Sequence, residues 1–247
     1  MISNIKGIVI RIRDYKDNDQ LLDVLTSEYG VISLIARGTK KPKAKLHYLI
    51  SSLYEFSFDY KENHTMFMII NSSLVKSYIA YDDALMNAFV SIFYEIIVKF
   101  KDFSNSETYD NLEFLLNNLS HSNYLLLGSI FISYIMKMNG IIPYVDGCVV
   151  CNKKKVVSIS SDLGGFVCEE HSQGNPNLDV ELLKDFRIIC KATYKDYEAI
   201  KDYKISEILF DTLCQFFMYN SDVKLKSYEF YTRVIWQKEE ELIRNIY

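Results

Sequence analysis

The sequence lacks a stretch that is long and apolar enough to cross a membrane. Its most apolar run covers residues 124–138 and is interrupted by Ser129, Ser133 and Lys137. A membrane-spanning helix needs about 20 predominantly apolar residues, so this run predicts a buried core helix instead. Residues 1–6 also lack the positively charged start and apolar stretch of a secretory signal. We therefore expect a cytoplasmic protein with no membrane partner.

Motifs of common nucleotide-binding and hydrolytic enzymes are missing as well. There is no Gly-x-x-x-x-Gly-Lys-Ser/Thr loop, no Gly-x-Gly-x-x-Gly turn and no Gly-x-Ser-x-Gly elbow. The deaminase pattern, His-x-Glu followed by Pro-Cys-x-x-Cys, is absent too, because Cys148 follows Gly147. Three of the four histidines, at positions 47, 64 and 121, are scattered along the chain. The sequence therefore predicts a protein that is not an enzyme and has no catalytic residues.

The composition is that of a folded globular chain, with 49% hydrophobic and 24% charged residues in a length of 247. Its net charge of −4 hides an asymmetry. Residues 1–80 carry 11 Lys and Arg against 8 Asp and Glu, whereas the remainder carries 17 against 24. Because nucleic-acid binding depends on the local field, the overall acidity does not exclude it for the amino-terminal region.

Residues 1–80 show the alternating pattern of β-strands. Strands are predicted at residues 8–13, 21–26, 31–36, 53–60 and 65–71. The fourth alternates most clearly, since it places Tyr54, Phe56, Phe58 and Tyr60 on one face. Five short strands with hairpin spacing favour a small closed barrel, because closure removes exposed strand edges. We expect an OB-like barrel.

Two pairs of metal-ligand residues lie in the second half of the chain. Cys148 and Cys151 are followed, after sixteen residues, by Cys168 and His171. Both pairs are spaced by two residues, as in tetrahedral zinc sites, and the segment between them reads as strand, turn and strand. Four protein ligands leave no open coordination position, so we expect one structural Zn²⁺ per chain. A disulfide is disfavoured because nothing suggests export, and the alternative is a chance pairing among the five cysteines.

From residue 81 onward the remaining pattern is helical. Asp82 or Asp83 can cap a helix that runs to about Lys101. Further helices are predicted near residues 108–119, 122–139, 179–198, 205–219 and 227–245. The predicted fold is therefore α+β and multidomain. A five-stranded OB-like barrel in residues 1–80 precedes an all-α helical domain in residues 81–247, into which a zinc finger is inserted at residues 146–174.

A basic segment follows the third predicted strand. It has five cations within nine residues: Arg37, Lys40, Lys41, Lys43 and Lys45. Gly38 and Pro42 keep this segment out of regular structure, and flexible ammonium groups can follow a phosphate backbone without requiring one sequence. A solvated loop that only aids solubility is the alternative for this run alone. Arg11 and Arg13, on the polar side of the first strand, favour nucleic-acid binding.

Several short segments carry a family resemblance. They are residues 6–15, 19–22, 26–30 and 36–38 running into the basic segment, the finger after residues 140–144, and residues 224–230. Together they span almost the whole chain and resemble the RecO family of bacterial recombination mediators.

The resemblance implies an amino-terminal OB fold, a helical carboxy-terminal domain and a zinc finger. It implies a role in DNA repair: binding single- and double-stranded DNA, and annealing complementary strands without nucleotide hydrolysis. It also implies partnership with RecR, so that RecA can be loaded onto single strands. RecF and the carboxy-terminal tail of single-stranded DNA-binding protein are further candidate partners, and the expected location is the cytoplasm, in association with the nucleoid.

Carried onto this chain, the resemblance assigns DNA contacts and metal ligands. The DNA contacts fall on Arg11, Arg13, Arg37, Lys40, Lys41, Lys43 and Lys45, and the metal ligands on Cys148, Cys151, Cys168 and His171. Members with a finger often have four cysteines, so His171 departs from that pattern, although imidazole is a good zinc ligand. The rival function is a non-enzymatic adaptor that has a structural finger and binds only proteins.

Overall fold

The computed structural model describes residues 2–41, 44, 47–59, 66–79 and 83–246. Lys43 and Lys45 of the basic segment, and Tyr60 of the fourth predicted strand, lie outside the described residues. The strands are β1 (Ile2–Tyr15), β2 (Asp19–Thr26), β3 (Gly30–Ala36), β4 (Ser52–Asp59), β5 (Met66–Ser77), β6 (Ser158–Ser160) and β7 (Gly165–Val167). The helices are α1 (Ala84–Lys99), α2 (Ser106–Asn118), α3 (Tyr124–Met138), α4 (Val180–Lys191), α5 (Tyr197–Ile200), α6 (Glu207–Ser221) and α7 (Lys226–Ile246).

The first five strands form a closed barrel in the order β1-β2-β3-β5-β4. Antiparallel pairing of β1 with β4 closes it, and β3 pairs with β5 in parallel. A closed five-stranded barrel is the architecture of the OB fold. The fold class expected from the sequence is thereby confirmed: a five-stranded OB-like barrel precedes a helical region, which contains the Cys and His cluster.

The barrel core consists of alternating side chains from its strands. Tyr54, Phe56 and Phe58 of β4 all lie in it, as their spacing predicts. The other members are Ile5, Val9, Leu22, Val24, Leu34, Ala36 and Tyr48. Burial of apolar side chains on one face of β1 to β4 fixes the register, since a shift by one residue would turn these side chains outward.

The first strand is longer and less regular than predicted. Its pairing with β2 shifts register between Val9 and Arg11, which marks a β-bulge. Val9 therefore belongs to the core and Ile12 packs against it, whereas Ile10 is buried outside this cluster. The sequence predicts Ile8, Ile10 and Ile12 on one face of this strand and Val9, Arg11 and Arg13 on the other, and this alternation is wrong because of the bulge.

Three helices belong to the same compact unit as the barrel, which comprises residues 1–118 and 225–247. Asp83 caps α1 by accepting a hydrogen bond from the Met86 amide, and α1 packs along α7. Glu95 of α1 accepts hydrogen bonds from the amide and the hydroxyl of Ser227, at 2.8 and 2.6 Å, at the start of α7. A carboxylate at a helix amino terminus is favourable, because it meets unpaired N–H groups and the positive end of the helix dipole.

The second compact unit, residues 119–224, contains α3 to α6 and the finger. Helix α3 packs against α4 and α6. The predicted helix 179–198 is wrong in extent, because α4 ends at Lys191 and a separate turn begins at Thr193. Thr193 and Asp196 form a capping box that satisfies the amides of this new start.

These packing units differ from the predicted domains. The change from strands to helices falls at residues 78–83, close to the predicted boundary. Packing nevertheless groups α1, α2 and α7 with the barrel. Packing units are groups of residues in close contact, and they need not coincide with domains along the sequence. The domain limits of 1–80, 81–247 and 146–174 therefore stay predictions. No helix in the described part of the chain is long and apolar enough to span a membrane.

Candidate metal centre and nucleic-acid interface

The four expected metal ligands meet at one point of the finger. Cys148 and Cys151 lie on a tight turn in which the Asn152 amide donates to the Cys148 carbonyl at 2.8 Å. Cys168 directly precedes a 3-10 turn, residues Glu169–His171, and this turn brings His171 back to the Cys168 side. The ligand atoms of all four residues lie within 4.8 Å of one another.

The distances between the ligand atoms fit tetrahedral coordination. His171 Nδ1 lies 3.6 Å from Cys148 Sγ and 3.3 Å from Cys168 Sγ, and the Cys151 and Cys168 sulfurs are 3.7 Å apart. With Zn–S bonds of about 2.3 Å and Zn–N bonds of about 2.0 Å, a tetrahedron has S–S edges of about 3.8 Å and S–N edges of about 3.5 Å. The cluster could therefore hold a metal ion, with Nδ1 as the imidazole ligand atom.

The surroundings of the cluster favour the thiolate form of Cys148. Burial raises the pKa of the Cys148 thiol, but backbone N–H groups of Cys168, Cys151 and Val150 outweigh burial and lower this pKa to about 6. A backbone hydrogen bond from Lys153 lowers the pKa of Cys151, yet burial and the neighbouring sulfurs raise it overall. Adjacent thiolates repel one another, and a bound cation would remove that repulsion.

The finger is held by close backbone packing and by ion pairs. A Cβ at Gly165 would approach the Tyr144 carbonyl oxygen to 2.3 Å, so β7 can pair with residue 144 only if this position is glycine. The Asp146 carboxylate forms ion pairs with Arg187 at 2.7 Å and with Lys191 at 2.5 Å, and both of these residues belong to α4. The ligand turns are therefore supported from outside the cluster, as metal sites require.

The basic segment lies beside the turn between β1 and β2. The Gly38 amide donates to the Asp19 carboxylate at 2.9 Å, and the Lys40 amide donates to the Asn18 carbonyl at 3.2 Å. Gly38 has a φ of 68°, a left-handed conformation that glycine adopts without strain. We call this surface, made of residues 16–19 and 37–41, the barrel rim.

The described cations of the rim are open to solvent. Arg37, Lys40 and Lys41 are all exposed. Lys40 forms an ion pair with Asp14 at 2.8 Å, but both partners stay accessible, at 37% and 70% of the side chain. Arg37 and Lys41 have no acidic partner among the described residues. Lys16, which the sequence analysis did not select, is also exposed, and its ammonium group lies over the Tyr15 ring at 5.3 Å.

Arg11 and Arg13 are placed differently from the rim cations. Both bind the buried carboxylate of Asp23, Arg11 Nε at 2.5 Å and Arg13 Nη2 at 3.1 Å, and Ser33 donates a further hydrogen bond at 2.7 Å. The two arginine side chains keep 41% and 44% of their surface accessible. Two arginines share one carboxylate, so the group retains one net positive charge. Sequence reading missed Asp23 because an acidic residue within a strand resembles an ordinary solvent-facing position.

Comparison with known proteins places most of the chain in one family. The family description "Recombination protein O N terminal" matches residues 1–78, and "Recombination protein O C terminal" matches residues 82–229. The chain belongs to the RecO family. RecO proteins named as DNA repair proteins are among its relatives. That of Bacillus cytotoxicus is 24% identical over 71% of this chain and 73% of its own length. The RecO protein of Lactobacillus acidophilus is 29% identical over 69% of this chain and 70% of its own length.

Membership in the RecO family confirms the resemblance seen in the sequence. The two RecO matches meet between residues 78 and 82, where the barrel strands give way to α1. The basic segment falls within the amino-terminal RecO match and the metal cluster within the carboxy-terminal one.

Proposed function

We propose that this RecO family member is a DNA-binding recombination mediator in DNA repair. It binds single- and double-stranded DNA without sequence specificity and anneals complementary strands. Together with RecR it helps to load RecA onto single strands coated by single-stranded DNA-binding protein. RecF and the carboxy-terminal tail of the coating protein are further proposed partners, and the proposed location is the cytoplasm, at the nucleoid.

The observation that carries this proposal is the exposure of cations on the barrel rim. Arg37 and Lys41 have no acidic partner among the described residues, and Lys40 has only a solvent-exposed one. Such side chains can bind phosphates without first breaking a buried ion pair. Lys43 and Lys45 are further proposed DNA contacts. Arg11 and Arg13 are also proposed to contact DNA, by means of the part of each side chain that stays accessible.

The proposed mechanism needs no bound nucleotide. Cations on the rim bind backbone phosphates and reduce the repulsion between two strands, while the base edges stay free to pair. Base pairing then supplies the free energy of annealing. If the five cations of the basic segment each neutralise one phosphate, the logarithm of single-strand affinity should fall with the logarithm of salt at a slope of about −3.5.

We also propose that the Cys and His cluster binds one structural Zn²⁺. When bound, the ion would neutralise the thiolates and join the two ends of the finger. Four protein ligands would come from Cys148, Cys151, Cys168 and His171, and they would leave no coordination position for a substrate. We therefore propose that the protein is not a metalloenzyme. DNA contact is assigned to the rim and not to the metal.

The test is DNA binding by a charge-reversed rim. The variant Arg37→Glu with Lys41→Glu should bind a fluorescent single strand far more weakly in anisotropy titrations. Its salt slope should be flatter by about 1.4, because two phosphate contacts are lost. The matched control reverses two exposed lysines of the other compact unit, Lys155→Glu with Lys195→Glu, and should bind almost as the wild type does.

Two outcomes would contradict the proposal. Equal affinities of the rim variant and the control at every salt concentration would exclude the rim as the interface. Absence of DNA binding by the wild-type chain, in mobility shifts at two salt concentrations, would favour the adaptor that binds only proteins.

A further inference from the structure

A large cleft opens in the compact unit that contains the barrel. It has a volume of about 1110 Å³. Its walls are one face of α1, β1 at positions 10–12, residues 48–52, the end of β5 and Phe230 of α7. None of residues 37–41 lines it. The cleft is therefore distinct from the rim, although both belong to the same unit.

Apolar side chains along the cleft are left open to water. Phe230 is 50% exposed, and Leu49 and Ile50 are exposed to a similar extent. Exposed apolar groups inside a concavity mark a site for a ligand with apolar faces. Polar side chains of α1, Asn87 and Ser91, lie on the same lining.

The described lining of the cleft carries more positive than negative charge. The described residues that line the cleft include two cations, Arg11 and Lys99, and one acidic residue, Glu95. Glu95 is already engaged by the amide and hydroxyl of Ser227. These hydrogen bonds lower the pKa of Glu95 in spite of its burial, so it is held as a carboxylate facing the start of α7.

Arg11 keeps donors for a ligand. Its Nε atom binds Asp23, which it shares with Arg13, so this group retains one net positive charge. Lys99 forms an ion pair with Glu95 at 3.7 Å, but it keeps 39% of its side chain accessible. A cationic side chain therefore lies on each of two walls of the cleft, Arg11 on β1 and Lys99 on α1. An aromatic side chain, Phe230, is exposed on a third wall.

We infer that this cleft binds unpaired nucleotides of a single strand, with base faces on Phe230 and its apolar neighbours and phosphates on Arg11 and Lys99. Single strands are bound in this way, by stacking on aromatic rings beside cations that follow the backbone. A duplex keeps its base faces stacked and cannot use the apolar wall. The inference rests on the proposed function, and Arg11 joins the cleft to the proposed DNA contacts.

The first experiment moves the only tryptophan into the cleft. Trp236 is 70% exposed on α7 and does not line the cleft. In the full chain, Phe230→Trp is combined with Trp236→Phe, and oligothymidylate is added. Stacking of bases on the new indole should quench its fluorescence strongly, whereas a matched duplex should quench it little.

The second experiment compares two lysines that are two residues apart. Lys99→Gln should weaken oligothymidylate binding and flatten the salt slope by about 0.7, the loss of one phosphate contact. Lys101→Gln is the matched control, because Lys101 is exposed but does not line the cleft, and it should bind as the wild type does. Phe230→Ala should lower single-strand affinity roughly 5- to 100-fold, as expected for a lost stacking contact.

The outcomes separate this inference from the proposed function. Unchanged fluorescence of the relocated tryptophan, while anisotropy shows oligothymidylate bound, would overturn the cleft assignment and leave rim binding intact. A fluorescence response to RecR but not to oligothymidylate would also overturn it and assign the cleft to a protein segment. No binding of any DNA by the wild type would overturn both proposals.

Discussion

The chain contains two runs of cations that look alike in sequence and differ in their surroundings. On the barrel rim, Arg37 and Lys41 have no acidic partner among the described residues. In the finger, Lys153 is paired with Glu170 at 2.6 Å, and Lys154 donates to the Asp146 carbonyl at 2.8 Å. The finger uses two of its three consecutive lysines to hold its own turns, whereas the rim leaves Arg37 and Lys41 without an acidic partner among the described residues. A cation is therefore more available to a ligand where its own chain does not already engage it.

The largest effect is expected from removing a metal ligand, because this change should affect the folding of the finger and not DNA binding by the barrel rim. Cys148→Ser should abolish metal binding and disorder the finger, because structural zinc supplies about 10 kcal/mol or more in isolated fingers. Metal analysis and thermal unfolding measure this. DNA affinity at the rim should change little.

The matched control for that variant is Cys190→Ser, a buried cysteine of α4 outside the cluster. It should retain one equivalent of zinc. A metal-free wild-type protein, purified without chelator, would contradict the zinc proposal.

A smaller effect on folding is expected at the buried carboxylate of the barrel unit. Asp23→Ala removes the shared acceptor of Arg11, Arg13 and Ser33. The free energy of unfolding should fall by about 2–3 kcal/mol, as for hydrogen bonds to a charged group, and urea denaturation measures it. DNA affinity should rise, because two arginines lose their intramolecular partner. Reduced DNA affinity of the folded variant would mean that Asp23 positions these arginines for DNA. Asp202→Ala, at an exposed turn residue outside the rim, is the control.

The pH dependence of the barrel unit tests the Glu95 contact. Burial raises the pKa of Glu95, but hydrogen bonds from Ser227 and Lys226 and the nearby Lys99 lower it overall from 4.5. A lowered folded-state pKa stabilises the protein above the unfolded-state value and loses this contribution as the pH falls through the folded-state value.

Glu95→Gln should therefore be less stable than the wild type at neutral pH, and the difference should shrink below about pH 4.5. Urea midpoints across this range measure it. A difference that stays constant down to pH 3 would show that the charge contributes nothing, and the exposed Glu28→Gln should show no difference at any pH.

The smallest effect is expected at the ion pair between Lys40 and Asp14. Asp14→Asn should release Lys40 from its exposed partner and raise single-strand affinity by about twofold, because exposed ion pairs contribute less than about 1 kcal/mol. Anisotropy titrations at low salt measure this. Lower affinity than that of the wild type would mean that Asp14 orients Lys40 for DNA. Asp202→Asn, at an exposed residue outside the rim, is the matched control.

Local patterns predicted much of the fold. The alternation of Tyr54, Phe56 and Phe58 identified a core face of the barrel, and the ligand spacing located the finger. The bulge after Val9 was not predictable in this way, because it depends on pairing with another strand. The end of α4 at Lys191 does have a local signal, the capping box of Thr193 and Asp196, but helical periodicity alone does not reveal it.

The sequence by itself determined that this chain has a small barrel, a helical region and a Cys3His cluster, since periodicity and ligand spacing are local properties. Only the tertiary structure decided which cations are open to a ligand. Arg11 and Arg13 meet Asp23 across neighbouring strands, and Glu95 meets Ser227, 132 residues further along the chain. Charge compensation depends on distance in space, and folding alone sets that distance.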